Sequence, residues 1–150
     1  MPEPPQVATH RRISKAFSFP GDAGSIVAAR QAVLDFIQPY CSAEQDEVDV
    51  FVALQEALAN AVVHGCQNDP GKAVHCAVEI DPRAFTIIVR DPGPGFDVDA
   101  VTQSTEAGVN ATTHGRGIRL MRSLMDDVAY RNGGSEVRLR KLRTAPPGVA

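Results

Sequence analysis

At 150 residues, 43% of them hydrophobic, the chain has the length of one domain and enough apolar material to bury a core. Its formal charge of -3 provides no basic field for a phosphate backbone or an anionic membrane, which argues against nucleic acid and lipid surfaces as partners. The three cysteines, Cys41, Cys66 and Cys76, have neither CxxC nor metal-ligand spacing and read as free thiols of a reducing compartment.

Pro2, Pro4 and Pro5 mark residues 1–10 as a disordered start without an apolar leader, and no stretch reaches the ~20 apolar residues that span a bilayer, so the expected setting is the cytoplasm. Residues 11–143 are expected to form the domain. Residues 11–19 alternate, with Ile13, Phe17 and Phe19 apolar, and predict a strand that Pro20-Gly21 ends. Asp22 is a suitable N-cap for a helix over 22–40, with Ile26, Ala29, Val33 and Ile37 on one side. A second helix is expected over 44–64, where Gly65 stops it. Residues 74–80 and 84–90 predict a hairpin turned at Asp81-Pro82. The glycine- and proline-rich stretch from Asp91 runs into a long loop up to His114. A helix over 117–128 then precedes strands over 128–131 and 135–142, separated by Asn132-Gly133-Gly134, and residues 144–150 are expected to be a frayed tail. This order predicts a two-layer α+β domain whose mixed, mostly antiparallel sheet carries helices on one face.

Three segments carry chemistry. On the second helix, Asn60 and His64 lie roughly 40° and 80° round from Glu56 at ~100° per residue, while Phe51, Leu54, Leu58, Ala61 and Val62 form the opposite, dry side. A carboxylate that accepts a proton, one turn from an amide oxygen that ligates a hard cation, suits metal-assisted phosphoryl chemistry, although such a pair is also common on a solvated helix face. The second segment is Asp91-Pro92-Gly93-Pro94-Gly95-Phe96-Asp97 at a strand end. Its glycines permit close backbone approach and its aspartate can accept a hydrogen bond from an exocyclic amine, while a tight structural turn uses the same residues. The third, His114-Gly115-Arg116-Gly117, closes the long loop and opens a helix, whose free N–H groups are donors for phosphate. Arg116, Arg119 and Arg122 there suit either phosphate, an acidic partner or solvent.

In combination and order these segments resemble the ATP-binding domain shared by histidine kinases, GyrB-type topoisomerases, Hsp90 and MutL. The similarity is greatest to the bacterial anti-sigma-factor serine/threonine kinases of the RsbW and SpoIIAB kind: Glu56 to Gly65 resembles their N box, Asp91-x-Gly93-x-Gly95-Phe96-Asp97 their first glycine box, and Gly115-x-Gly117 with Leu120 to Asp126 their second. It extends over about residues 17–142. Pro92 and Pro94 depart from the usual polar residues, and Pro94 lacks an N–H to donate.

The resemblance implies a Bergerat ATP-binding fold. By position it implies that Asn60 holds Mg²⁺, Glu56 polarises the attacking hydroxyl, Asp91 reads adenine, and Gly93, Gly95, Gly115, Arg116 and Gly117 border the nucleotide under a lid over 98–114. Ser135 stands where the family commonly has a threonine near the base. The implied function is an ATP-dependent anti-sigma factor that phosphorylates a serine on a small anti-anti-sigma protein of STAS type, with a sigma factor as second partner and a homodimer as the assembly. Two alternatives are an ATP-binding module that sequesters a partner without phosphoryl transfer, and a detached histidine-kinase catalytic domain.

Overall fold

The computed structural model describes residues 12–106 and 113–145. Five strands, β1 (Ile13–Pro20), β2 (Ala73–Ile80), β3 (Ala84–Arg90), β4 (Asp127–Arg131) and β5 (Glu136–Leu142), form one sheet in the order β1-β2-β3-β5-β4. All neighbours pair antiparallel. Helices α1 (Ile26–Ile37), α2 (Glu44–Asn60), α3 (Val98–Glu106) and α4 (Thr113–Leu124) complete the α+β domain.

Alternation along the strands decides which face is covered. Val74, Cys76, Val78 and Ile80 of β2, Phe85, Ile87 and Val89 of β3, and Val137 and Leu139 of β5 are buried in the core. Against them pack Ala29, Val33 and Ile37 of α1, Val50, Leu54, Ala57 and Leu58 of α2, and Ile118 and Met121 of α4. The three cysteines are free thiols, and burial pushes the Cys76 thiol up to about 12. Phe51, expected on the dry side of α2, is 38% exposed and lies 4.4 Å beneath the Arg30 guanidinium, a cation–π contact that stands in for core burial.

Several boundaries differ from the sequence expectation for local reasons. Asp22 caps a 3-10 turn, Ala23–Ser25, by accepting from the Ser25 N–H and hydroxyl at 3.2 and 2.7 Å, so α1 starts only at Ile26. Residues 98–106, expected within a loop, form α3: Asp97 accepts from Ala100 N–H at 3.0 Å as its cap. The second Gly-x-Gly lies inside the first turns of α4 rather than ahead of it. Thr144, at the start of the expected frayed tail, donates from N–H and hydroxyl to the Asp46 carboxylate at 2.8 and 3.0 Å. The other expected tail and N-terminal residues, 145 apart, lie outside the described residues.

The feature that shapes the site is the end of α2. After Asn60 the ladder widens into a π-turn, Ala61–Gly65, with Cys66 N–H donating to Ala61 C=O at 2.8 Å. Such turns are frequent at functional positions because they re-aim the chain without ending the helix.

Candidate functional site

A cleft opens where the end of α2 meets the C-terminal end of β3 and the turn between β4 and β5. Its floor is apolar, from Ala57, Ala61, Val89 and Val137. Its polar groups come from four separate parts of the chain: Asn60 and His64, Asp91, Tyr130, and Ser135.

Asp91 sits at the deep end. Its Oδ1 accepts from Gly93 N–H at 2.8 Å, and its own N–H donates to Ser135 C=O at 3.0 Å, fixing the carboxylate beside β5. Burial raises its pKa, and the Gly93 hydrogen bond offsets part of that rise. Gly65 delivers the π-turn against it: a methyl group there would overlap the Asp91 carboxylate itself. The carboxylate therefore lies against bare backbone, with one edge left for a ligand.

Beside Asn60, a methyl group on Gly117 would lie 2.7 Å from Glu56 Oε2 and 3.9 Å from Asn60 Nδ2. The first helical pair and the second glycine pair, about sixty residues apart, are thus in contact. Asn60 Nδ2 is buried without a hydrogen-bond partner. Gly95 adopts φ 77°, a left-handed conformation suited to glycine, and the following Phe96 N–H donates to Gly133 C=O at 2.8 Å, docking the first glycine loop on the β4–β5 turn.

Of the residues named from sequence, Asn60, Asp91, Gly95 and Ser135 line the cleft, Gly93 underlies Asp91, and Glu56 and Gly117 meet beside Asn60. Gly115 is buried in the first turn of α4. Arg116 is exposed and outside the cleft lining. Among the described residues no group of three or more His, Cys, Asp or Glu could hold a metal, so a cation here would depend on Asn60 and on its ligand.

Sequence reasoning gave no role to a row of rings, three of which, His64, Phe96 and Tyr130, line the cleft. His64 stacks on His114 at 4.1 Å with planes 12° apart; His114 meets Phe96 at 4.1 Å, and Phe96 meets Tyr130 edge-on at 5.4 Å. His114 and Phe96 stand inside the glycine segments, but a lone ring next to glycine carries no signal until folding stacks it.

The fold and a cleft lined by glycine backbone with one partly buried carboxylate define a nucleotide-site architecture, and the histidine kinase-like ATPase domain model matches residues 19–141: the chain belongs to that family. Its relatives in that family include anti-sigma factors. The anti-sigma F factor of Shouchella clausii is 33% identical over 76 residues, 50% of this chain and 52% of that protein, so the chain spans about half of that relative. The anti-sigma F factor of Clostridium acetobutylicum is 30% identical over 118 residues, 75% of this chain and 82% of that protein. A solved structure of the RsbU and RsbW domains of a Mycobacterium tuberculosis protein is similar in fold, with a TM-score of 0.58 at 15% identity, covering 92% of this chain and 35% of that one.

Proposed function

We propose that the chain is a cytoplasmic, Mg²⁺- and ATP-dependent anti-sigma factor with serine/threonine kinase activity, which holds a sigma factor and phosphorylates a small anti-anti-sigma protein. The observation that carries this reading is that Gly117 lies against Glu56 and close to Asn60, while Asn60 lines the same cleft as Asp91. The residues present fit a nucleotide: the partnerless Asn60 Nδ2 and the close approach at Gly65 and Gly117 leave polar atoms and bare backbone beside the cleft.

In this reading the Asp91 carboxylate accepts from the exocyclic amine of adenine. The Asn60 carbonyl takes the cation, which neutralises phosphate charge when bound. Glu56 receives the proton of the attacking serine hydroxyl as its oxygen bonds to the γ-phosphorus and the bond to the departing ADP breaks. In the same reading the N-terminal end of α4, with its dipole, favours the phosphates. A homodimer belongs to the same proposal.

The test is transfer of labelled γ-phosphate to an anti-anti-sigma protein by wild type and Glu56→Gln. The expected outcome is acid-stable phosphoserine from the wild type, a loss of at least about a hundredfold in rate for Glu56→Gln, and nucleotide binding retained by both. Binding without transfer by the wild type would leave the sequestering module, and an acid-labile product would leave the histidine-kinase alternative.

A further inference from the structure

We infer that the outer face of α2 and α4 around Glu56 is the docking surface for the phosphoryl-acceptor protein, and that the part of that protein it fits is apolar around its serine and acidic toward α4; the inference rests on the kinase reading above. A helix packed on a sheet ordinarily turns charged and polar side chains to solvent. Helix α2 does not do so beside Glu56. At ~100° per residue, Val52, Ala59 and Val48 lie roughly 40°, 60° and 80° round from Glu56, on the side opposite to Asn60. Val48 is 45% exposed, Val52 and Ala59 are partly exposed, and Val63 in the π-turn, 48% exposed, carries the apolar stripe past Glu56.

Helix α4 extends the same face. It runs antiparallel to α2: Gly117 near its start lies against Glu56, and Leu124 C=O at its end shares Lys141 with Asp49 of α2. Leu120, 39% exposed, therefore lies alongside the stretch of α2 between Asp49 and Glu56, roughly 60° round α4 from Gly117 toward solvent. Arg116 and Arg119 follow it on the exposed side of α4, and neither forms an ion pair among the described residues. An apolar centre with arginine along one edge is the make-up of a protein interface rather than of a solvated helix. Two features choose the occupant. A serine that gives its proton to Glu56 brings the protein carrying it across the residues that flank Glu56, so the acceptor has to cover this face. The unpaired guanidinium groups on the α4 side call for carboxylates opposite them.

Steady-state transfer of γ-phosphate to the anti-anti-sigma protein, by the full chain and its Val48→Asp and Arg119→Gln variants, tests this. Both substitutions fall on exposed positions outside the nucleotide cleft. The expected result is a KM for the acceptor protein at least about tenfold higher in Val48→Asp and about fivefold higher in Arg119→Gln, with kcat and the KM for ATP unchanged in both. Added salt should raise the wild-type KM for the acceptor and raise that of Arg119→Gln less steeply. On the wild type, the methyl signals of Val48, Val63 and Leu120 should shift when the acceptor is added, while that of Leu142, exposed on the opposite face of the sheet, stays in place. That readout survives should a variant fail to fold. An acceptor KM unchanged in either variant, methyl signals indifferent to the acceptor, or a loss of self-association in the variants with transfer intact, which would assign the face to a second copy, overturns the proposal while the kinase reading stands. A folded wild type that transfers to no acceptor overturns both.

Discussion

His114 illustrates how burial sets the chemistry of a single side chain. Desolvation, with the neighbouring His64 charge adding to it, pushes its imidazole from 6.5 down to about 4. A base whose pKa falls on folding is neutral in the native state and protonated in the unfolded one between those two values. Stability is therefore undiminished above pH 6.5 and is lost as pH falls toward 4, by about 3 kcal/mol over the whole interval. Urea unfolding at a series of pH values should show this slope in the wild type and a shallower one in His114→Phe. An identical slope in both would mean that His114 does not titrate differently on folding. Asp91 shifts the other way, upward by burial, so that its carboxylate, the form able to accept from an amine, is retained to a less acidic limit than that of an exposed aspartate.

Among elements, one ion pair adds a polar tie to the apolar packing of α2, α4 and β5. Lys141 Nζ on β5 donates to Asp49 Oδ2 of α2 at 2.8 Å and to Leu124 C=O at the end of α4 at 2.8 Å, while Gln45 donates to the other Asp49 oxygen at 2.8 Å. Burial alone would raise Asp49, but the Lys141 and Gln45 hydrogen bonds hold it below the usual carboxylate range. The side chains keep 14% and 12% of their surface, so replacing Lys141 by Ala should cost about 2–3 kcal/mol, somewhat less than breaking a fully buried pair. Urea unfolding measures it, and a cost below ~0.5 kcal/mol would show that solvent replaces the lysine. The helical periodicity of α1 and α2 was legible in sequence because one face of each is buried, and β2 and β3 were legible from their β-branched runs either side of the Asp81-Pro82 turn. Helix α3 was not. Its segment, rich in Val and Thr, has weak helix propensity, and its capping Asp97 was read only as part of the glycine segment. The π-turn at Ala61–Gly65 was equally hidden, since no local pattern distinguishes it from a helix end stopped by glycine.

Over the whole molecule, the sheet order β1-β2-β3-β5-β4 brings the end of β3 beside the β4–β5 turn, and α2 crosses the same end of the sheet next to α4. That arrangement turns three distant segments into one cleft. Each segment alone had a structural reading as well, and they were legible as one site only through their joint resemblance to a known ATP-binding family, whereas Tyr130 and the ring stack emerge only from tertiary packing. Arg116, also named from sequence, is exposed outside the lining, and its proximity in sequence to Gly117 carries no contact with the cleft. The central claim is that this cleft binds Mg²⁺-ATP, and titration calorimetry with the wild type, Asp91→Ala and Asn60→Ala tests it most directly. The account predicts heat of binding in the wild type, its loss in Asp91→Ala, and a loss of its Mg²⁺ dependence in Asn60→Ala; a folded wild type that shows no binding at millimolar ATP would contradict it.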